Sequence, residues 1–271
     1  MTVPSIQLTN DPALRASVDY LLRLGDTCLI LGQRLGEWCG HAPVLEEDIA
    51  LSNMALDLIG QARAVLTRAG QLDGHGHDED RLAFLREERD FRNPTLVELP
   101  NAQVSPGQKG RDFAVTVARN TMVAVLLEVL WTRLQASSDS ELAAIAAKAV
   151  KEARYHRQHA GDWLVRLGDG TAESKARMQA ALDHLWLYTP ELFEADAVDA
   201  AALASGLGPS WADLQGPWRE TMDALLREAT LQTPAEPVYR SSGRRGVHSE
   251  HMGYLLAEMQ QLQRAYPGGV W

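Results

Sequence analysis

The chain has 271 residues, of which 45% are hydrophobic, and a formal net charge of −10. That length can bury a substantial core, as one large domain or two small ones. The acidic balance argues against nucleic acid or an anionic membrane as the main partner, because either requires a basic face.

The start, MTVPSIQLTND, lacks the basic residues and apolar centre of a secretory signal, so the chain is expected in the cytoplasm. From Asp11 to about Cys39, the residues Leu14, Val18, Leu21, Gly25, Cys28, Leu29, Gly32 and Leu35 recur at helical spacing. Gly40-His41-Ala42-Pro43 stops this first helix. On one helix Cys28 and Cys39 would lie roughly 16 Å apart, too far for a disulfide, so both are expected as buried or semi-buried thiols. A second helix is expected from about Val44 to Ala69, with Glu46, Glu47 and Asp48 suiting the dipole of its first turn and Gly70 at its end. The short turn makes the two helices antiparallel neighbours.

Residues 71 to 110 form a long connection with one helical stretch at about Asp78 to Phe91, followed by Pro94, Pro100 and Pro106. A crossover of this length joins the second and third helices of ferritin-like bundles. The third helix, about Arg111 to Ala136, carries Phe113, Val117, Asn120, Ala124, Leu127, Trp131 and Leu134 on one stripe. Its most apolar run, Met122 to Trp131, includes Glu128 and is well short of the ~20 residues of a membrane span. The fourth helix follows a tight turn with Ser138 and Glu141 in capping-box spacing. Further helices are expected at about Thr171 to Tyr188, Ser210 to Thr230 and Gly246 to Ala265, and no strand is expected. The fold class is therefore all-α: a ferritin-like four-helix bundle over about 11–168 with a helical C-terminal extension over about 169–271, the whole of 1–271 being one ferritin-like domain. Trp38, Trp131, Trp163, Trp186, Trp211 and Trp218 fit helical faces as core or interface residues.

Chemistry concentrates in the fourth helix, where Leu142, Ile145, Ala149, Glu152, His156, Ala160, Trp163 and Leu167 share a core-facing stripe. A carboxylate and an imidazole projecting inward are the elements of dinuclear carboxylate sites, which take a carboxylate from each of two helices and a Glu-x-x-His pair from each of the other two. Equal distance from the first turn places Asp57 level with Asp26. Three residues after Asp57, however, stands Gly60, followed by Gln61, so the imidazole is missing there. In the second hairpin Glu152 falls level with Ala124 and His156 with Asn120, leaving the third helix without a carboxylate. Glu128 falls level with Lys148 and is expected to pair with it. Glu152 and His156 are spaced by four rather than three, and Lys148, Lys151 and Arg154 crowd this half. Positive charge beside an incomplete acid set disfavours a divalent metal. Asp26, Asp57, Glu152 and His156 are thus expected as a vestigial site, a buried hydrogen-bonded or ion-paired network rather than metal ligands.

Elsewhere, His248 and His251 at i, i+3 lack a fixed third ligand and are expected at the surface or an interface. Arg244 and Arg245, between Gly243 and Gly246, make a basic turn that could meet a phosphate, a partner or solvent. Cys39-Gly40-His41 has neither a second zinc-site pair nor a placed base. No GxSxG, P-loop or dinucleotide fingerprint occurs.

The strings LRLGDTCLILGQRLGEWCGHAP, ALDLIGQAR, DEDRLAFLREERDF, KAVKEARYH and GVHSEHMGYLLAEMQQLQRAYPG resemble the C subunits of the bacterial ring-1,2-phenylacetyl-CoA epoxidases, from about Tyr20 onward. The resemblance implies a ferritin-like subunit that has lost the di-iron centre of its catalytic paralogue. In that family the A subunit holds the iron and most of the coenzyme A thioester site, the C subunit packs against it, and a reductase delivers electrons from NADPH. The paralogue's two Glu-x-x-His pairs fall on Asp57 and Gly60 and on Ala153 and His156, both broken. The implied role is a structural, non-catalytic subunit in aerobic phenylacetate breakdown, with no cofactor in this chain and with the di-iron subunit and the other epoxidase subunits as partners. The alternative is that this chain is itself a di-iron oxygenase using Asp26, Asp57, Glu152 and His156; a ferritin-like storage or binding protein is a third reading, which the missing ligands disfavour. Complex stoichiometry and a homodimer of the isolated chain stay open.

Overall fold

The computed structural model describes residues 6–104 and 110–269. Helix α1 (Pro12–Gly36) begins on Asp11, whose carboxylate accepts from the N–H groups of Ala13 and Leu14, with Pro12 in the first turn where an N–H has no partner anyway. Almost every residue from Val18 to Leu35 is buried, because the second helix, the crossover and the Ala197–Ser205 helix of the extension all pack on α1. Helix α2 (Leu45–Asp73) runs one turn beyond the expected stop. Gly70 is internal to it, and its missing side chain makes room for the crossover: a Cβ there would lie 2.0 Å from the His77 carbonyl oxygen. The stop is Gly74, in the left-handed conformation at φ +74°.

The crossover holds α3 (Glu79–Phe84), a 3₁₀ turn at Glu88–Asp90 and α4 (Thr95–Glu98) in place of the single helix expected over Asp78 to Phe91. Asp26 is the cause. It accepts from the Arg86 guanidinium and from the Arg92 N–H at 2.8 Å, and in a continuous helix that N–H would be bonded to the carbonyl four residues back. Pro106 lies outside the described residues.

Helices α5 (Phe113–Leu134) and α6 (Ser140–Gly168) form the second hairpin. The cap of α6 is Asp139 rather than Ser138: its carboxylate accepts from Glu141 and Leu142, while the Ser138 hydroxyl is spent on the Ser205 carbonyl. By length and composition α5 could cross a membrane, but 83% of its most apolar window is buried inside the bundle. In the extension, α7 (Ala172–Trp186) and α9 (Gln215–Glu228) pack on α5, α8 (Ala197–Ser205) on α1, and α10 (Glu250–Ala265) on the crossover. The short, alanine-rich α8 has no apolar period to announce it, and the stretch expected from Ser210 is a 3₁₀ turn, Trp211–Leu214, before α9.

Buried apolar residues of bundle and extension form one continuous cluster. Trp38, Trp131, Trp186, Trp211 and Trp218 lie inside it, and Trp163 packs against it, edge-on to Phe113 at 5.1 Å. Among the described residues there are two isolated bridges, Ala102 to Arg111 and Ser242 to Val247, and no strand. The architecture is the all-α, ferritin-like arrangement that the helical spacing predicts.

Candidate functional site

The four bundle helices converge on one amide. Gln61, on α2, accepts at Oε1 from the Trp131 indole of α5 at 3.2 Å and lies 3.6 Å from the Cys28 thiol of α1, while its Nε2 donates to Glu152 of α6 at 2.9 Å. Cys28, Gln61 and Trp131 are buried. Glu152 reaches the edge, where Lys148 lies 3.7 Å away. Burial first, then the Glu152 and Asp26 carboxylates, push the Cys28 thiol far up, so it stays protonated and inert.

A turn away along the α2–α6 seam, His156 meets Asp57 at 3.0 Å. Burial lowers the His156 pKa, opposed by the Asp57 hydrogen bond and charge, and the net shift is downward, so the ring is neutral at pH 7. Asp57 is 38% exposed, so this pair straddles the surface. Glu47 and His159 face each other at 3.1 Å across the same two helices further along, without a hydrogen bond between them, and leave no obvious trace in the sequence.

Asp26 does not join this network. It is fully buried against Arg86, with Nη1 donating at 2.9 Å to one carboxylate oxygen and Nη2 to the other, and the guanidinium lies 4.2 Å from the Phe91 ring centroid. Equal depth in a hairpin fixes height but not azimuth, and Asp26 faces the crossover while Asp57 faces α6. Depth counting also misassigns Glu128. Its partners are Arg157 and, at 3.3 Å, Arg154, not Lys148, which pairs with Glu152. Side chains tilt toward the N-terminus of their own helix, so in this antiparallel pair the α6 arginines lean toward the turn and Glu128 leans away from it to meet them.

Asn120 is buried with its Oδ1 unpartnered, and Gly60 opens onto solvent. Among the described residues no group of three or more His, Cys, Asp or Glu side chains could hold a metal ion. The donor set does not fit a dinuclear metal centre: one candidate carboxylate is tied to an arginine, an amide stands at the centre, and Asp57 with His156 makes one pair at the rim.

Arg244 and His248 take structural roles. Arg244 is buried, bonded to Asp199 at 2.9 Å and to the Glu191 carbonyl at 2.8 Å, and burial lowers its pKa to about 10. It is therefore not open to phosphate, whereas Arg245 is exposed beside Glu194. The His248 ring is not at the surface: its side chain and that of Glu98 are wholly buried, 2.7 Å apart, with the Phe91 carbonyl on the other ring nitrogen. His251 is half-buried. Cys39 lies past the end of α1 and is exposed, contrary to the expected semi-buried thiol.

The family model described as "Phenylacetic acid catabolic protein" matches residues 1–271. The chain is 51% identical over 252 residues to the C subunit of the 1,2-phenylacetyl-CoA epoxidase of Escherichia coli (strain K12), covering 93% of this chain and 98% of that protein.

Proposed function

Since the chain belongs to the phenylacetic acid catabolic protein family, we propose that it is the structural, non-catalytic subunit of a cytoplasmic phenylacetyl-CoA epoxidase, packing against and supporting a di-iron catalytic subunit. The observation that carries the reading is the Gln61 amide, joined to Trp131 and Glu152 and in contact with Cys28 where a dinuclear centre would need carboxylates and imidazoles. A neutral amide donates and accepts at once, so it can tie four helices together without burying a net charge. Iron, and the oxygen chemistry it supplies, then belongs to the partner, with NADPH-derived electrons reaching it through a reductase. That the E. coli relative is the C subunit of an epoxidase supports the assignment to a multi-subunit enzyme.

The test is reconstitution. Epoxidation by the di-iron subunit and reductase is measured with and without this chain, and then with His156→Ala and Asp57→Ala. Dependence on the chain together with unchanged turnover in both variants is the expected result. Full activity without the chain refutes the supporting role. Lost turnover in variants that still assemble favours the reading in which this chain is itself the oxygenase.

A further inference from the structure

The start of α10 is fastened to the crossover through one imidazole. The His248 side chain is wholly buried, with Nδ1 2.7 Å from Glu98 and Nε2 3.2 Å from the Phe91 carbonyl. The same Glu98 carboxylate accepts from the Asn93 amide at 3.1 Å and from the Ser249 N–H at 2.6 Å, so both of its oxygens act as acceptors. A ring whose two nitrogens both face acceptors is satisfied only when both carry protons, and a neutral imidazole carries one. Ser249 is the N-cap of α10, so the pair sits where that helix begins. Beyond it, α10 buries Met252, Leu255, Leu256 and Gln260 among its 16 residues and packs on the crossover. Its far end is held by Gln260 and Arg264, which donate to the carbonyls of Ala83, Phe84 and Arg86. A terminal helix with this little buried apolar surface belongs to the elements that open locally, ahead of global unfolding.

We propose that His248 and Glu98 form a proton-operated latch on α10: with both ring nitrogens protonated the helix is docked on the crossover, and loss of one proton loosens it. Other charged and titratable groups face the pair from each side. From α1 come Asp26, itself paired with Arg86, and Arg34, which donates to the Glu98 carbonyl at 3.1 Å. Arg92 shares the Phe91 carbonyl at 2.8 Å, Tyr188 past the end of α7 feels the Glu98 charge, and His251 stands on α10 itself. Burial works against the imidazolium, but the Glu98 hydrogen bond and charge, the Phe91 carbonyl and the Asp26 charge outweigh it, so the His248 pKa is raised above its ordinary 6.5. In the open helix the ring is hydrated and titrates near 6.5. Between that value and the docked pKa, opening releases one proton. The opening constant therefore rises by up to about tenfold per pH unit in this range, and levels off on either side of it.

Hydrogen exchange of the full chain, followed by mass spectrometry at a series of pH values and corrected for the intrinsic rate at each, reads the opening of α10 (Glu250–Ala265). In the wild type the opening constant of α10 peptides climbs by up to about tenfold per pH unit above pH ~6.5. His248→Gln keeps a donor for Glu98 but cannot titrate, so α10 opens more readily and the climb disappears. His251→Gln, at the other histidine of this helix start, keeps the climb. A nitrogen NMR titration of the wild-type chain needs no variant: His248 holds both ring protons to a midpoint above its ordinary 6.5. A flat or falling opening constant in the wild type overturns the latch, as does a climb that survives in His248→Gln. A His248 midpoint at or below about 6.5 overturns it even where the variant fails to fold.

Discussion

Replacing Asp26 by Ala strips the fully buried Arg86 guanidinium of its carboxylate and the Arg92 N–H of its acceptor. Arg86 keeps the Leu82 and Asp90 carbonyls and the Phe91 ring, so its positive charge stays buried without a counter-ion. Breaking a buried pair on one side costs about 3–5 kcal/mol. With about 2.1 cal/mol/K of unfolding entropy per residue, the 271-residue chain has roughly 0.57 kcal/mol/K, so a loss of about 4 kcal/mol lowers Tm by roughly 7 °C. The assay is thermal and urea unfolding followed by circular dichroism. The double variant Asp26→Leu with Arg86→Met removes both charges and regains at least about half of the loss, because apolar replacement of both partners avoids the orphaned charge. A Tm within about 2 °C of wild type for Asp26→Ala, which corresponds to roughly 1 kcal/mol, would show that Arg86 does not depend on this counter-ion. Asp26 would then not be committed to the fold and would be free to act as a ligand.

Gln61→Ala orphans the buried Trp131 indole N–H and opens a hole at the centre, costing about 2–4 kcal/mol, measured as a shift in the urea midpoint. Gly70→Ala sets a methyl against the His77 carbonyl and destabilises by about 1–3 kcal/mol, read from Tm; an unchanged Tm would show that the crossover yields freely. His248→Asn exposes a pH dependence. Burial pulls the His248 pKa down, but the Glu98 hydrogen bond and charge and the Phe91 carbonyl outweigh it, and the folded pKa ends above its ordinary value. The native state then holds the proton more tightly than the unfolded chain, so this stabilisation is complete below the unfolded pKa, near 6.5, and fades as pH rises through the folded one. The cost of His248→Asn, about 3 kcal/mol at pH 5.5, therefore shrinks toward pH 9. A cost that grew with pH would contradict the assigned partner.

Helical spacing made α1, α2, α5 and α6 legible because long amphipathic or buried helices repeat every three or four residues. It could not show where the crossover breaks. Asp26 holds the segment after the break, and it is 60 residues away in sequence from Arg86. Gly60 and Asn120 could be read directly at the positions level with the candidate ligands, but Gln61 at the centre could not. Gln61 sits at the same four-residue offset from Asp57 as His156 does from Glu152. That matched offset on both helices was the one available signal. The Arg244 and His248 clusters were misjudged for a related reason: their partners, Asp199, Glu191 and Glu98, come from segments that local sequence does not connect to them.

The proposed non-catalytic role requires that the Gln61 amide network, rather than a metal, organises this bundle. Iron content by elemental analysis of the purified chain, after anaerobic incubation with Fe(II) and removal of the excess, tests it most directly, with His156→Ala as the control. Background iron in both proteins is the expected result. About two iron atoms per chain, the complement of a dinuclear carboxylate centre, lost in His156→Ala, would contradict it.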